Sequence, residues 1–398
     1  MHGENGLKQK KLANRLCPIC DNGTVEVLFN LDVIHYEKVG LPAEHSIVTC
    51  EDCGFVYDDC RATLWDYERY YKLFNKYNSS PTIVNETKEL FSHYYQILNE
   101  FVDKESPIMD MGCAGGFFLD LLKENGYSHL VGIDPSEDCV RHMREKGIEA
   151  YVGSIYSNEL RLLENRFDLI ILSGVMEHLF DLRNAVQNLA RYLRERAIIF
   201  IGVPDTERYC NYDNVLSYYF NFEHINHFSS VSLRNLMEKF KYTSIKTSFH
   251  DIKFGESIAP IFSSLYKKDT LLSNRCEKDT ISSVSIKKYL DLFKDERGND
   301  LRIIDELLES NEEIIIWGAG CVASELLSTT GLKHCNIQAF VDKDPGKHGK
   351  QLLGKTIWPI DRLSGFRGTI VVCAALYSLD ILNDIRNMNL KNRVLVLK

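Results

Sequence analysis

Apolar and polar positions along the chain fall into stretches of different rhythm. Between residues 12 and 70, short alternating runs such as Thr24 to Asn30 read as half-exposed strands, and the aromatic run Trp65-Asp66-Tyr67-Glu68-Arg69-Tyr70-Tyr71 closes the stretch. From 76 to 255, compact apolar runs alternate with helix-period segments, as βαβ units do. Strands are expected at 107–111, 130–133, 167–172 and 197–203, and helices at 117–125, 137–146 and 183–193; Gly126 and Gly147 stop the first two helices. The pattern predicts a mostly parallel sheet with helices on both faces. Residues 256–310 carry a helical run at 281–293, a polar break at 294–298 and another helix, and are expected to be a connector. From 311 to 398 a second α/β pattern follows, with strands at 314–317, 337–341, 369–373 and 394–397 and helices at 322–327 and 379–388. The expected class is therefore α/β: a small module over 1–75, a Rossmann-like core over 76–255, and a second Rossmann-like domain at the end.

Composition narrows the class. With 398 residues the chain exceeds one ordinary domain, and 44% hydrophobic with 26% charged residues is a globular balance. A net charge of −9 argues against a broad nucleic-acid footprint, which needs an excess of clustered Lys and Arg. No apolar run reaches the roughly 20 residues that cross a bilayer, and the polar start lacks a signal-peptide core. A cytoplasmic protein with no membrane or nucleic-acid partner is expected.

Twelve cysteines could signal disulfides, but four of them form two Cys-x-x-Cys pairs, Cys17/Cys20 and Cys50/Cys53. Each pair can turn both sulfurs toward one ion. Four thiolates in a tetrahedron suit Zn²⁺ and leave no position for substrate, so the expected role is structural.

The run Asp110-Met111-Gly112-Cys113-Ala114-Gly115-Gly116 joins an expected strand to an expected helix. Glycines there let backbone approach a ligand. Asp110 would repel a phosphate yet suits the cationic methionine end of S-adenosylmethionine. The next strand ends in Asp134-Pro135-Ser136, where a carboxylate can accept both ribose hydroxyls, and the loop Gly153-Ser154-Ile155 is where an adenine would lie. With Phe167-Asp168-Leu169-Ile170-Ile171 and Ser173-Gly174-Val175-Met176-Glu177-His178, these residues resemble the class I methyltransferases over 105–245. The resemblance implies S-adenosylmethionine as cofactor, touching Asp110, Gly112, Ala114, Gly116, Asp134, Pro135, Gly153, Ser154, Ile155 and Ser173.

The order of cysteine module, methyltransferase core and terminal Rossmann-like domain resembles the sugar C-methyltransferases. So do Phe222-Glu223-His224-Ile225-Asn226-His227-Phe228-Ser229 and the run from Phe340 to Lys350. This resemblance implies a nucleotide-linked deoxy-keto-sugar as acceptor and methylation of a carbon beside the ketone. Such a carbon must lose a proton to a positioned base while the enolate oxygen is stabilised, and an imidazole suits the first task. His224 is the expected base, Glu223 its orienting partner or a sugar ligand, and His178 the hydrogen bond to the ketone. His227 stands where that family commonly has tyrosine, and Val175-Met176-Glu177-His178 is closer to the loop of general O-methyltransferases. Two other readings stay open: an O- or N-methyltransferase on a sugar or natural product, and a zinc-bearing nucleoside-binding protein without chemistry.

Near the end, Trp317-Gly318-Ala319-Gly320 is a second glycine turn, followed by Asp342 at the tip of the next strand. Its spacing also suits a dinucleotide. The sugar-methyltransferase resemblance implies instead that Gly318, Gly320, Asp342 and Lys343 help hold the nucleotide, or that the domain is a scaffold. Aromatic stretches around Tyr67, Tyr70, Tyr71 and Tyr77, and around Tyr218, Tyr219, Phe220 and Phe222, are expected to be interdomain packing.

Overall fold

The computed structural model describes residues 10–37, 39–73, 81–212, 216–254, 257–273, 275–374 and 377–397; Tyr77 lies outside them. Among the described residues the chain builds three sheets. The first is antiparallel, in the spatial order Lys10–Leu12, Thr24–Asp32, Glu44–Cys50, Val56–Asp58 and Asn226–His227. Its last strand comes from the middle of the sequence, with Asn226 opposite Tyr57 and His227 opposite Val56. A module this small cannot bury a core alone. Its Val25, Val48, Phe55 and Tyr57 share one cluster with Ile199, Phe228 and Leu236 of the central domain.

The central sheet has seven strands in the order Tyr242–Phe254, Ser257–Lys268, Leu193–Pro204, Phe167–Ser173, Ile108–Met111, Leu130–Asp134 and Glu149–Val152. The last five run parallel; buried stretches such as Ile108–Met111 and Leu130–Asp134 made the inner strands legible, whereas the half-exposed edge strand Glu149–Val152 was not among those expected. The first strand in sequence, Ile108–Met111, lies between neighbours reached in opposite directions. That is a topological switch point, whose carboxyl edge is where open α/β sheets bind ligands.

The expected boundary at 255 needs correction. Ser257–Lys268 is a strand of this sheet, paired antiparallel with both Tyr242–Phe254 and Leu193–Pro204, and buried from Ala259 to Tyr266. An antiparallel neighbour needs no crossover helix, so the βαβ rhythm used to delimit the domain carries no signal for it. The connector proper is the helix pair Ser282–Glu296 and Gly298–Ser310. Its Ile286 and Tyr289 enter a core with Tyr67, Tyr70, Tyr209, Tyr219, Phe220 and Phe222, so the aromatic stretches do form packing between domains.

The third sheet has the order Gln351–Leu352, Lys355–Trp358, Ile337–Val341, Ile314–Trp317, Thr369–Cys373 and Val394–Leu397, parallel except for the first pair. Clusters around Ile316 and Trp317 fill its two faces. Among the described residues no helix is long and apolar enough to cross a membrane.

Candidate functional site

The carboxyl edge of the central sheet is shaped by its first turn. The Gly112 and Cys113 amides both donate to the Ile133 carbonyl, at 2.8 and 3.1 Å, which folds the turn against the neighbouring strand. Gly112 and Gly116 take φ of 81° and 75°, where a Cβ would come within 2.7 Å of Val175 and of Met143. Asp134 closes the turn: one carboxylate oxygen accepts from the Ala114 amide and the other from Ser136, each at 2.9 Å. Those bonds fix its rotamer while each oxygen keeps a lone pair for a ribose hydroxyl. Pro135 leads into the helix Glu137–Glu145, capped by Ser136, whose hydroxyl accepts from the Cys139 amide at 3.3 Å.

Beyond the next strand, the Gly153 amide binds the Asp134 carbonyl at 3.0 Å, so the Gly153-Ser154-Ile155 loop lies against the same acid. The Ser154 hydroxyl donates to Glu68 at 2.8 Å, which brings the helix Leu64–Leu73 over this loop. Nothing in the sequence singled out Glu68, since its partner is 86 positions away. Ser173 ends the strand Phe167–Ser173 on the other side of Asp110. Asp110 itself is 4% exposed, and burial together with the charge of Asp134 pushes its carboxyl up to about 7.

The expected catalytic residues also converge. The rings of His178 and His224 are 4.9 Å apart, and His178 Nδ1 is 3.0 Å from the Glu223 carbonyl oxygen and 3.1 Å from the Tyr71 hydroxyl. The Tyr70 hydroxyl donates to the Glu223 carboxylate. Asn226 pins the segments that carry His178 and His224 together, its amide donating to the carbonyls of Met176 (3.0 Å) and Leu179 (2.7 Å). Arg15, buried in the cysteine module, donates to Asn226 Oδ1 at 3.2 Å and to Phe180. His227 is instead a packed side chain, 1% exposed against Phe220, its imidazole pushed down to about 3 by burial.

The cysteine pairs meet as their spacing requires. All four sulfurs lie within 4.8 Å of one another, with Cys17 3.5 Å from Cys53 and Cys20 3.4 Å from Cys50. A tetrahedral zinc with Zn–S near 2.3 Å puts sulfurs about 3.8 Å apart, so the set closes on one ion with little movement. Gly54 must be glycine: φ is 75°, and a Cβ there would lie 1.9 Å from the Asp279 carbonyl oxygen.

In the last domain the second glycine turn repeats the first. The Ala319 amide donates to Asp342 at 2.9 Å, and Gly318 (φ 111°) leaves no room for a Cβ beside Cys373. Here, however, the acid is taken by Lys347 at 2.8 Å, and Lys343 is turned away to pair with Asp384. The cation at this turn is therefore Lys347, not the expected Lys343. Lys347 lines a narrow crevice of about 20 Å³ with Ala319, Gly320, Tyr70 and Phe222, so the turn faces the aromatic residues beside Glu223.

Comparison with known proteins gives this geometry a family. Residues 86–247 match the methyltransferase domain family, and residues 310–395 match the family described as C2185-like, N-terminal. Residues 86–247 are an S-adenosylmethionine-dependent methyltransferase domain. Over 99 residues the chain is 28% identical to the ubiquinone biosynthesis O-methyltransferase of Rhizobium etli, covering 24% of this chain and 40% of that protein. It is 30% identical over 125 residues to the tRNA U34 carboxymethyltransferase of Aeromonas hydrophila, covering 27% and 38%. The chain thus spans less than half the length of these curated relatives. A solved methyltransferase of Archaeoglobus fulgidus aligns with 47% of this chain and 99% of its own, at 16% identity and a TM-score of 0.37.

The family implies S-adenosylmethionine, and the zinc fit rests on the four-cysteine cluster. A pH dependence follows for the methyltransferase domain. Below pH 7 Asp110 is protonated and offers the cationic cofactor no charge; above it the carboxylate is ionised. Cofactor affinity measured by calorimetry should rise between pH 6 and 8, by up to about tenfold, and Asp110→Asn should flatten the profile. A wild-type profile already flat would remove Asp110 from the cationic end of the site.

Proposed function

We propose that the protein transfers a methyl group from S-adenosylmethionine to a nucleotide-linked keto-sugar, at the carbon beside the ketone. The observation that supports this most is the meeting of His178, His224 and Glu223 beneath Tyr70 and Tyr71, beside the crevice that reaches the second glycine turn. His224 takes the proton from the carbon, and His178, with both ring nitrogens protonated, keeps Nδ1–H on the Glu223 carbonyl and donates Nε2–H to the oxygen as enolate charge develops. The enolate carbon then attacks the sulfonium methyl, the carbon–sulfur bond breaks, and S-adenosylhomocysteine leaves with the electron pair. The proton on His224 passes to solvent.

His224→Ala should lower turnover by about 10²- to 10⁴-fold while cofactor affinity stays at the wild-type level. Solvent hydrogen should exchange into the acceptor carbon without methyl donor in the wild type and not in the variant. Full turnover in His224→Ala would end the assignment. The buried Glu177 beside His178 supports a second reading, transfer to a hydroxyl whose proton goes to that carboxylate. That reaction forms methyl ether without carbon-bound hydrogen exchange.

A further inference from the structure

Among the described residues three clusters of metal-ligating side chains occur, and the four cysteines are the first. The second, His45 with Asp58 and Cys60, is sealed, and its imidazole already spans Asp58 at 2.5 Å and the Pro42 carbonyl at 3.0 Å. Burial alone would strip its second proton, but Asp58 and Cys60 push it up to about 10, so it is a cation with no lone pair to give. The third, Glu177, His178 and His224, differs on each point.

We propose that Glu177, His178 and His224 form a second divalent-cation site, for a zinc-class ion, whose occupation silences methyl transfer. Their ligand atoms lie within 4.8 Å of one another. Two imidazoles and one carboxylate on a shared side are a donor set for first-row divalent ions that leaves coordination positions open. Glu177 is 4% exposed, and its Oε2 has no hydrogen-bond partner among the described residues. A buried carboxylate left so is costly, and burial pushes its proton affinity up; a cation supplies the missing partner.

His178 is prepared for the same role. A carbonyl oxygen only accepts, so in the neutral ring the 3.0 Å contact with Glu223 places the proton on Nδ1 and leaves the lone pair on Nε2. A ligating histidine is characteristically fixed in this way, its other nitrogen donating to a backbone carbonyl. The two segments that carry the ligands are held in register by Asn226 and by the Ile225 amide, which donates to the Glu177 carbonyl at 2.9 Å. Both imidazoles are half-buried, so an ion can enter from solvent.

Once bound, the ion holds the His224 lone pair that would otherwise accept the acceptor's proton. The silencing therefore rests on the base role proposed above; the site itself does not. The test starts from protein with zinc on its four cysteines and titrates Co²⁺. One further equivalent should bind, with weak ligand-field absorption and no thiolate charge-transfer band. Glu177→Gln and His224→Ala should each weaken it by about 100-fold or more, with zinc content and S-adenosylhomocysteine affinity unchanged as the check on folding. No further equivalent, or one indifferent to both substitutions, would overturn the site.

With a nucleotide-linked keto-sugar present, Zn²⁺ should stop solvent exchange at the acceptor carbon with the midpoint of its own binding. Exchange that continues at saturating Zn²⁺ would overturn the silencing. Exchange absent even from cation-free protein strikes the base assignment, and the silencing with it, while the Co²⁺ titration still decides the site.

Discussion

Asp134→Ala should weaken S-adenosylmethionine binding by about 10²- to 10⁴-fold. The carboxylate is expected to accept both ribose hydroxyls, and a hydrogen bond to a charged acceptor contributes about 1.5–3 kcal/mol, so two amount to about 3–6 kcal/mol. The substitution also strips the Ala114 and Ser136 amides of the oxygens that accept from them at 2.9 Å, which loosens the turn itself. The control is built into the chain. Asp342 accepts from Ala319 at the same 2.9 Å in the last domain, yet Asp342→Ala should leave cofactor affinity unchanged, because Lys347 already occupies that acid. Calorimetry on zinc-replete protein reads both. Equal losses in the two variants would mean that the cofactor pocket depends on overall stability rather than on Asp134.

Removing the metal from the four cysteines, or replacing Cys50 with serine, should unfold the five-stranded sheet and loosen the catalytic segments with it. Structural zinc supplies apparent binding free energies of about 10–16 kcal/mol in small domains, comparable with or above the whole stability of an ordinary one. The consequence reaches the segments that carry His178 and His224 through two routes. Asn226–His227 is the edge strand of that sheet, and Arg15, two residues before Cys17, donates to Asn226 Oδ1 and to the Phe180 carbonyl. Hydrogen exchange should show protection lost together over 10–60 and 222–228, and retained over 314–397, whose sheet has its own cores. Protection that survives at 222–228 after zinc removal would show that the catalytic segment does not lean on the cysteine module.

The inner parallel strands were readable because they are buried on both faces and so are short, mostly apolar runs: Ile108–Met111, Phe167–Ser173 and Ile314–Trp317 all fall where the runs predict them. The hairpin Tyr242–Phe254 with Ser257–Lys268 was not, since its partners are fixed by a sheet edge rather than by local period. Residues acting at short, fixed spacing were likewise legible. The two sulfurs within each cysteine pair belong to this group, because turn geometry alone brings them together, and Asp110 with Asp134 were legible through the βαβ rhythm that pairs their strands.

Order along the chain specifies the local units: two cysteine knuckles, two glycine turns each backed by an acid, and most of the strands and helices that carry them. Tertiary structure alone decided which units meet. It put Glu68 on Ser154, Tyr70 on Glu223 and Tyr71 beside His178, chose Lys347 over Lys343, and packed His227 into the core. The reason is physical. A turn or strand is specified by neighbours along the chain, whereas a contact such as that between Tyr70 and Glu223, 153 positions apart, depends on how separate apolar faces find each other.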